Sequence, residues 1–141
     1  MDGKMRRFRC LLAMLSLLMA CFVQAQDVRN SSNMYVGKIE RDGTVRDRSN
    51  MYIGKIKDDG TVYDRSNMYI GKVDRDGTVR DRSNMSIGKI KDDGTVYDRS
   101  NMYIGKVDRD GTMRDRSNAS IGQARDLPLR HAALFFFFFF F

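Results

Sequence analysis

Three sets of side chains in this sequence are of types that do chemistry. The first is acidic: Asp74-Arg75-Asp76-Gly77 and Asp108-Arg109-Asp110-Gly111 space two carboxylates as at the start of a calcium loop. Calcium takes about six to eight oxygens, a late acidic ligand among them. The position of Asp74 is Lys57 or Lys91 in the equivalent stretches, so a turn is the better reading and no metal site is assigned. The second is His131, the single histidine. Alone it builds neither a histidine metal cluster nor a Ser-His-Asp triad. The third is aromatic: Tyr35, Tyr52, Tyr69 and Tyr103 recur at a fixed spacing, each preceded by a methionine. Such a series either packs one repeat on the next or offers one shallow ligand site per repeat, as in repeat lectins. Ser86 stands where a fifth tyrosine would complete the set, which favours packing. These four tyrosines are the candidate ligand-binding residues. No catalytic residue and no cofactor site is assigned.

The elements that carry these residues come from a 17-residue phrase, Asn67-Met-Tyr-Ile-Gly-Lys-Val-Asp-Arg-Asp-Gly-Thr-Val-Arg-Asp-Arg-Ser83. Full copies begin at Asn33, Asn50, Asn67, Asn84 and Asn101, and a partial one at Asn118. An Asp-Gly pair between short Val/Ile/Thr/Tyr segments is a hairpin signature. A two-residue loop at Asp76-Gly77 would set Val73 against Arg80. A three-residue loop, with Gly77 left-handed, sets Val73 against Val79 and puts Lys72 and Arg80 on the other face. The second register is expected. Ile70 then falls on the wrong face unless a bulge at Gly71 restores it, and a glycine recurs there in every copy. The stretch Asp64-Arg65-Ser66-Asn67 and its equivalents read as the second turn.

The two ends differ in kind. Lys4, Arg6, Arg7 and Arg9 precede the apolar run Leu11 to Val23, followed by Gln24 and Ala25. That layout is a secretory signal over residues 1–25, too short for a comfortable membrane span. Leu18-Met19-Ala20-Cys21 also resembles a lipobox, which leaves a lipid anchor at Cys21 as the alternative to cleavage after Ala25. Cleavage after Ala25 removes both cysteines, four Lys/Arg and one Asp, leaving 21 basic against 17 acidic residues, a net charge of +4. Both signs are interspersed, whereas a nucleic-acid footprint is a one-signed patch; no nucleic-acid partner is expected. Residues 26–32 read as an N-terminal linker, 33–124 as the hairpin repeats, and 125–141 as a C-terminal tail ending in seven phenylalanines, Phe135 to Phe141. An exposed apolar strip of that size is an aggregation liability, so the tail is expected to cover the apolar end of the repeats.

The tandem units typified by Ile53-Gly-Lys-Ile-Lys-Asp-Asp-Gly-Thr-Val62, and the close running from Ile121-Gly122 through Leu127-Pro128-Leu129 and Ala132-Ala133 to the phenylalanines, resemble the five-fold beta-flower proteins of Bacteroidetes. The resemblance covers nearly all of the expected mature chain. It implies a small secreted or envelope-associated protein whose hairpins radiate around a pseudo-five-fold axis, with no established activity. His131, in place of an aromatic such as Trp, and Ala119, in place of the Met of the other copies, depart from the pattern.

The expected fold is all-β: five tandem hairpin repeats in a closed pseudo-five-fold ring with an apolar tail packed on it. Charges alternate from copy to copy: Glu40-Arg41, Lys57-Asp58, Asp74-Arg75, Lys91-Asp92 and Asp108-Arg109, with Arg46, Tyr63, Arg80, Tyr97 and Arg114 in step. With neighbouring hairpins in contact, these are expected to pair across the junctions. Since five is odd, the joint between the fifth hairpin and the first should bring like charges together, held by the strand 118–124. The expected function is that of an exported structural or interaction protein of the periplasm, cell surface or extracellular space, with weak multivalent contacts to an envelope glycan or protein. A lectin-like glycan-binding module is the alternative. A hydrolase is the remote one, since near-identical repeats supply no asymmetric pocket.

Overall fold

The computed structural model describes residues 26–140. The expected signal peptide, with Cys21, lies outside the described residues, as does Phe141. Twelve antiparallel strands follow one another: β1 (Gln26–Asn30), β2 (Tyr35–Ile39), β3 (Thr44–Asp47), β4 (Tyr52–Ile56), β5 (Thr61–Asp64), β6 (Tyr69–Val73), β7 (Thr78–Asp81), β8 (Ser86–Ile90), β9 (Thr95–Asp98), β10 (Tyr103–Val107), β11 (Thr112–Asp115) and β12 (Ser120–Ala124). Each pairs with its neighbours in sequence, and β1 pairs with β12 as well as β2, so the sheet closes into a barrel without a free edge.

The local chemistry of one hairpin explains its shape. In the loop 75–77, the Asp74 N–H donates to the Thr78 carbonyl at 2.8 Å and the Gly77 N–H to the Asp74 carbonyl at 3.0 Å. Gly77 takes φ +91°, and a Cβ there would run into the Ile90 carbonyl of the next hairpin. The register is Lys72↔Arg80 and Val73↔Val79, as the three-residue loop predicts. Between hairpins, Val62 pairs with Gly71 and Tyr63 with Tyr69, leaving Ile70 as the extra residue. This is the bulge expected beside Gly71; it turns Ile70 back against the core. The second turn is fixed by Asp64, whose Oδ1 accepts from the N–H groups of Ser66 and Met68, while Asn67 sits in the left-handed region at φ +60°. Asparagine tolerates that conformation better than most residues.

Alternation along the strands sends one residue per strand into a single inner layer: Val28, Ile39, Val45, Ile56, Val62, Val73, Val79, Ile90, Val96, Val107, Met113 and Ala124, all buried. The ring thus has six strand pairs, and the expected five-fold closure is corrected. Five pairs are contiguous hairpins. The sixth joins β12 to β1, with Val28 opposite Ala124 as Val45 is opposite Ile39. The stretch 26–32, expected as a linker, is therefore a working strand and turn. Asn30 Oδ1 accepts from the N–H groups of Ser32 and Met34, as Asp64 does in its own turn.

The tail enters the barrel along its axis. Helix α1 (Leu129–Ala133) starts at the Asp-Gly turns, where Leu129 reaches Gly94, and passes into a π-helix, Leu134–Phe139. Ala132, Ala133 and Leu134 are buried inside the inner layer. Beyond them Phe136, Phe137, Phe138, Phe139 and Phe140 lie on Gly122, Gly105, Gly88, Gly71 and Gly54 respectively, one ring per strand pair and in reverse chain order. An α-helix turns in about 3.6 residues, whereas giving one side chain to each of six pairs asks for about six per turn. The wider i→i+5 helix moves toward that number, and its hydrogen bond from the Phe140 N–H to the Phe135 carbonyl measures 3.2 Å. The tail is thus packed into the barrel.

Candidate functional site

The acidic pairs of the Asp-Gly turns are occupied by the turns themselves. Asp74 Oδ2 accepts from Arg80 Nε at 2.7 Å, and Lys72 Nζ lies 3.5 Å from Oδ1; the Arg80 hydrogen bond holds the Asp74 carboxyl below its usual range. Asp76 Oδ1 accepts from the Thr78 N–H at 2.9 Å, and that bond lowers its pKa too.

The same contacts overturn the expected pairing of charges across junctions. Arg46 Nε donates to Glu40 Oε1 at 2.8 Å and Arg114 Nε to Asp108 Oδ2 at 2.8 Å, as Arg80 does to Asp74. In the alternate hairpins Lys57 Nζ stands 4.6 Å from the centroid of the Tyr63 ring and Lys91 Nζ 4.7 Å from that of Tyr97. Acid with Arg, and Lys with Tyr, are pairs within one hairpin. A three-residue loop sets residues six apart on adjacent strands and one face, which is why the two positions alternate in step. The like-charged joint does not form, because β12 and β1 stand between the fifth hairpin and the first.

His131 lies half-buried in α1, beside Asp58, Asp92, Pro128 and Arg130 in a shallow depression. Burial lowers its pKa, and the Asp58 charge opposes that shift. Arg130 clips the helix to the turns: its guanidinium donates to the carbonyls of Asp74 at 2.9 Å and Arg75 at 2.8 Å, and approaches Asp92 Oδ1 at 3.4 Å. A cleft of about 430 Å³ runs between the last hairpin and residues 125–129, with Asp108, Asp110, Arg125 and Asp126 on its walls.

The candidate tyrosines do not converge. Tyr35, Tyr52, Tyr69 and Tyr103 are half-buried on four strands, each beside a residue of the preceding strand: Arg29, Arg46, Tyr63 and Tyr97. Tyr63 and Tyr69 meet edge-on at 6.1 Å, and Tyr97 and Tyr103 at 6.0 Å. They form separate patches around the wall.

The methionines of the same stretches, Met85 before Ser86 included, are placed otherwise than the packing reading expects. Met34, Met51, Met68, Met85 and Met102 are 54–62% exposed, so they are not packing between repeats. All five sit in the turns of one end of the barrel, opposite the Asp-Gly turns. This end has six turns, and five of them carry an exposed arginine, Arg48, Arg65, Arg82, Arg99 and Arg116; the turn of Met34 has Ser31 in that place, and the turn of Arg116 has Ala119 in place of a methionine. The turn carboxylates Asp47, Asp64, Asp81, Asp98 and Asp115 are half-buried and accept from backbone N–H groups. Inside this rim lie the half-buried residues Val36, Ile53, Ile70, Ile87, Ile104 and Ile121 and the partly exposed rings of Phe137 to Phe140. The signal for this surface was present: a methionine directly after an asparagine held in a left-handed turn has no core to enter.

An up-and-down barrel of repeated hairpins, closed by its first strand and filled along its axis by a phenylalanine helix, is the class of protein that this geometry defines. The family model for the 5-fold beta-flower protein matches residues 25–140. The chain belongs to that family. A search of the curated proteins and a search of the solved structures each found no match.

Proposed function

We propose that this beta-flower protein is an exported, non-enzymatic interaction module. It meets one broad envelope surface through the Met-Arg end of its barrel, with its hairpin copies acting as equivalent weak contacts. The observation that carries the reading is the ring of five exposed methionines in five equivalent turns. Contiguous exposed apolar groups with a polar surround mark interaction surfaces, and methionine suits adaptable ones. Weak contacts made in parallel from one rigid body multiply in avidity. Export rests on the layout of residues 1–25.

Binding of the purified chain to isolated cell envelopes tests this. Replacing Met51, Met68, Met85 and Met102 by serine should abolish sedimentation with envelopes without lowering the melting temperature. Unchanged sedimentation would refute the reading.

A lectin-like reading is favoured by one observation, the Lys57, Tyr63 and Tyr69 cluster, where a cation and two edge-on rings share the outer wall. A glycan array read with the parent and with Tyr69→Ala decides it. Saturable glycan binding lost in that variant supports it, and no binding discards it.

A further inference from the structure

We infer that the partner of the Met-Arg end is an anionic lipid surface, onto which the barrel docks end-on. The inference rests on the interaction reading above and names its partner. Three features of the end fit a membrane interface. The contact groups are the tips of equivalent turns on one closed ring, so they meet a flat surface together rather than a groove. The methionines at the rim, with the isoleucines and phenylalanine rings inside it, form an apolar disc. That disc can enter the headgroup region, while the exposed arginines of the same end face acidic headgroups.

The charge distribution selects an anionic surface. Arg48, Arg65, Arg82, Arg99 and Arg116 are exposed, while the aspartates beside them are turned onto backbone N–H groups, as Asp64 is onto Ser66 and Met68. Arg46, Arg80 and Arg114 also direct a guanidinium nitrogen to the asparagine carbonyls of this end, at 3.1–3.2 Å. At the opposite end each of the five Asp-Gly turns carries two acidic residues and one basic, as in Asp74-Arg75-Asp76 and Lys91-Asp92-Asp93. The turns that carry these arginines hold one aspartate for each, so their formal charges cancel, whereas each Asp-Gly turn keeps one acid in excess; the barrel therefore presents an acidic end and an apolar end whose exposed charges are arginines, and a negatively charged surface orients it with the methionines inward.

Co-sedimentation of residues 26–141 with vesicles of phosphatidylcholine, with and without phosphatidylglycerol, tests the inference at low and at high salt. Binding is expected to the phosphatidylglycerol vesicles alone, weakening as salt rises. Each of Arg65→Gln, Arg82→Gln and Arg99→Gln should reduce it about fivefold. Met51→Ser, Met68→Ser and Met85→Ser together should abolish it. Arg75→Gln, at the acidic end, should leave it unchanged, and all variants should melt as the parent does. No binding to the anionic vesicles overturns the inference, as does equal loss in Arg75→Gln or indifference to the methionine substitutions. If envelopes are bound through the methionines while pure lipid is not, the interaction reading stands and the lipid partner is wrong. An acidic protein would then be the partner to seek.

Discussion

The ring of Phe138 lies so close over Gly88 that a Cβ on that glycine would stand 2.6 Å from the nearest ring carbon and 2.5 Å from the Tyr97 carbonyl oxygen. The same pairing recurs at Gly54, Gly71, Gly105 and Gly122, each with its own phenylalanine. The strand glycine and the phenylalanine run are two halves of one packing device.

Gly88→Ala should therefore destabilise the protein by about 1–3 kcal/mol through overpacking. Phe138→Ala in the same chain should recover part of that loss and not all of it, because the Tyr97 carbonyl remains in the way. A double-mutant cycle by urea unfolding would give a coupling of about 0.5–3 kcal/mol. Additive effects would mean that the ring does not rest on the glycine.

Val28 is the inner-layer residue of the closing strand and is fully buried. Val28→Ala should cost about 2 kcal/mol in equilibrium unfolding, matching Val45→Ala at the equivalent place in the first hairpin. A linker residue would change stability by less than about 0.5 kcal/mol.

The alternating charges should couple within a hairpin. Exchanging Lys57 and Tyr63 together for Asp and Arg reproduces the Asp74 and Arg80 pair and should leave stability nearly unchanged. Either change alone should lose about 0.2–1 kcal/mol. Replacing Glu40 by Lys should break its bond to Arg46, with no sensitivity to the charge at position 57. A dependence on residue 57 would restore pairing across the junction.

Two pH windows follow from the site. The folded-state pKa of His131 is lowered by burial, so the unfolded chain takes up its proton first. Stability is full above the unfolded value of about 6.5 and falls as pH drops through it toward the lowered value. His131→Gln should flatten this step in a series of melting curves. Asp74, also lowered, stabilises above the unfolded carboxylate value of about 3.9, and that contribution disappears as pH falls toward its lowered folded value. Asp74→Asn should make this second step smaller, the similarly lowered Asp42, Asp59, Asp76, Asp93 and Asp110 supplying the rest.

Much of the hairpin was legible in the sequence, because Asp76-Gly77 and the alternation of Val73, Lys72, Val79 and Arg80 admit one register that keeps like with like. The bulge at Ile70 followed from the same alternation. The closing strand was hidden. Asp27-Val-Arg-Asn-Ser-Ser32 keeps only Val28, Arg29 and Ser32 of the Thr-Val-Arg-Asp-Arg-Ser phrase, yet Asn30 does with an amide oxygen what Asp64 does with a carboxylate. With that strand unseen, the repeats count as five pairs and the alternating charges fall to the junctions. The recurring glycine reads as a bulge from the alternation alone. That it also seats one phenylalanine in each of five strand pairs depends on the path of the tail along the axis, which no local pattern encodes. The exposure of the methionines is not legible from residue type, which argues for packing, whereas their place in a turn decides for solvent.

The claim that one end of the barrel is the contact face can be tested on the methionines themselves. Residues 26–141 contain six: Met34, Met51, Met68, Met85 and Met102 at the rim, and Met113, fully buried in the inner layer. With their methyl groups labelled with carbon-13, the NMR spectrum should show the five rim signals shifting or broadening together as phosphatidylglycerol vesicles are added, while Met113 holds its position in the fraction that stays visible. Rim signals that stay fixed while vesicles are bound would contradict the account.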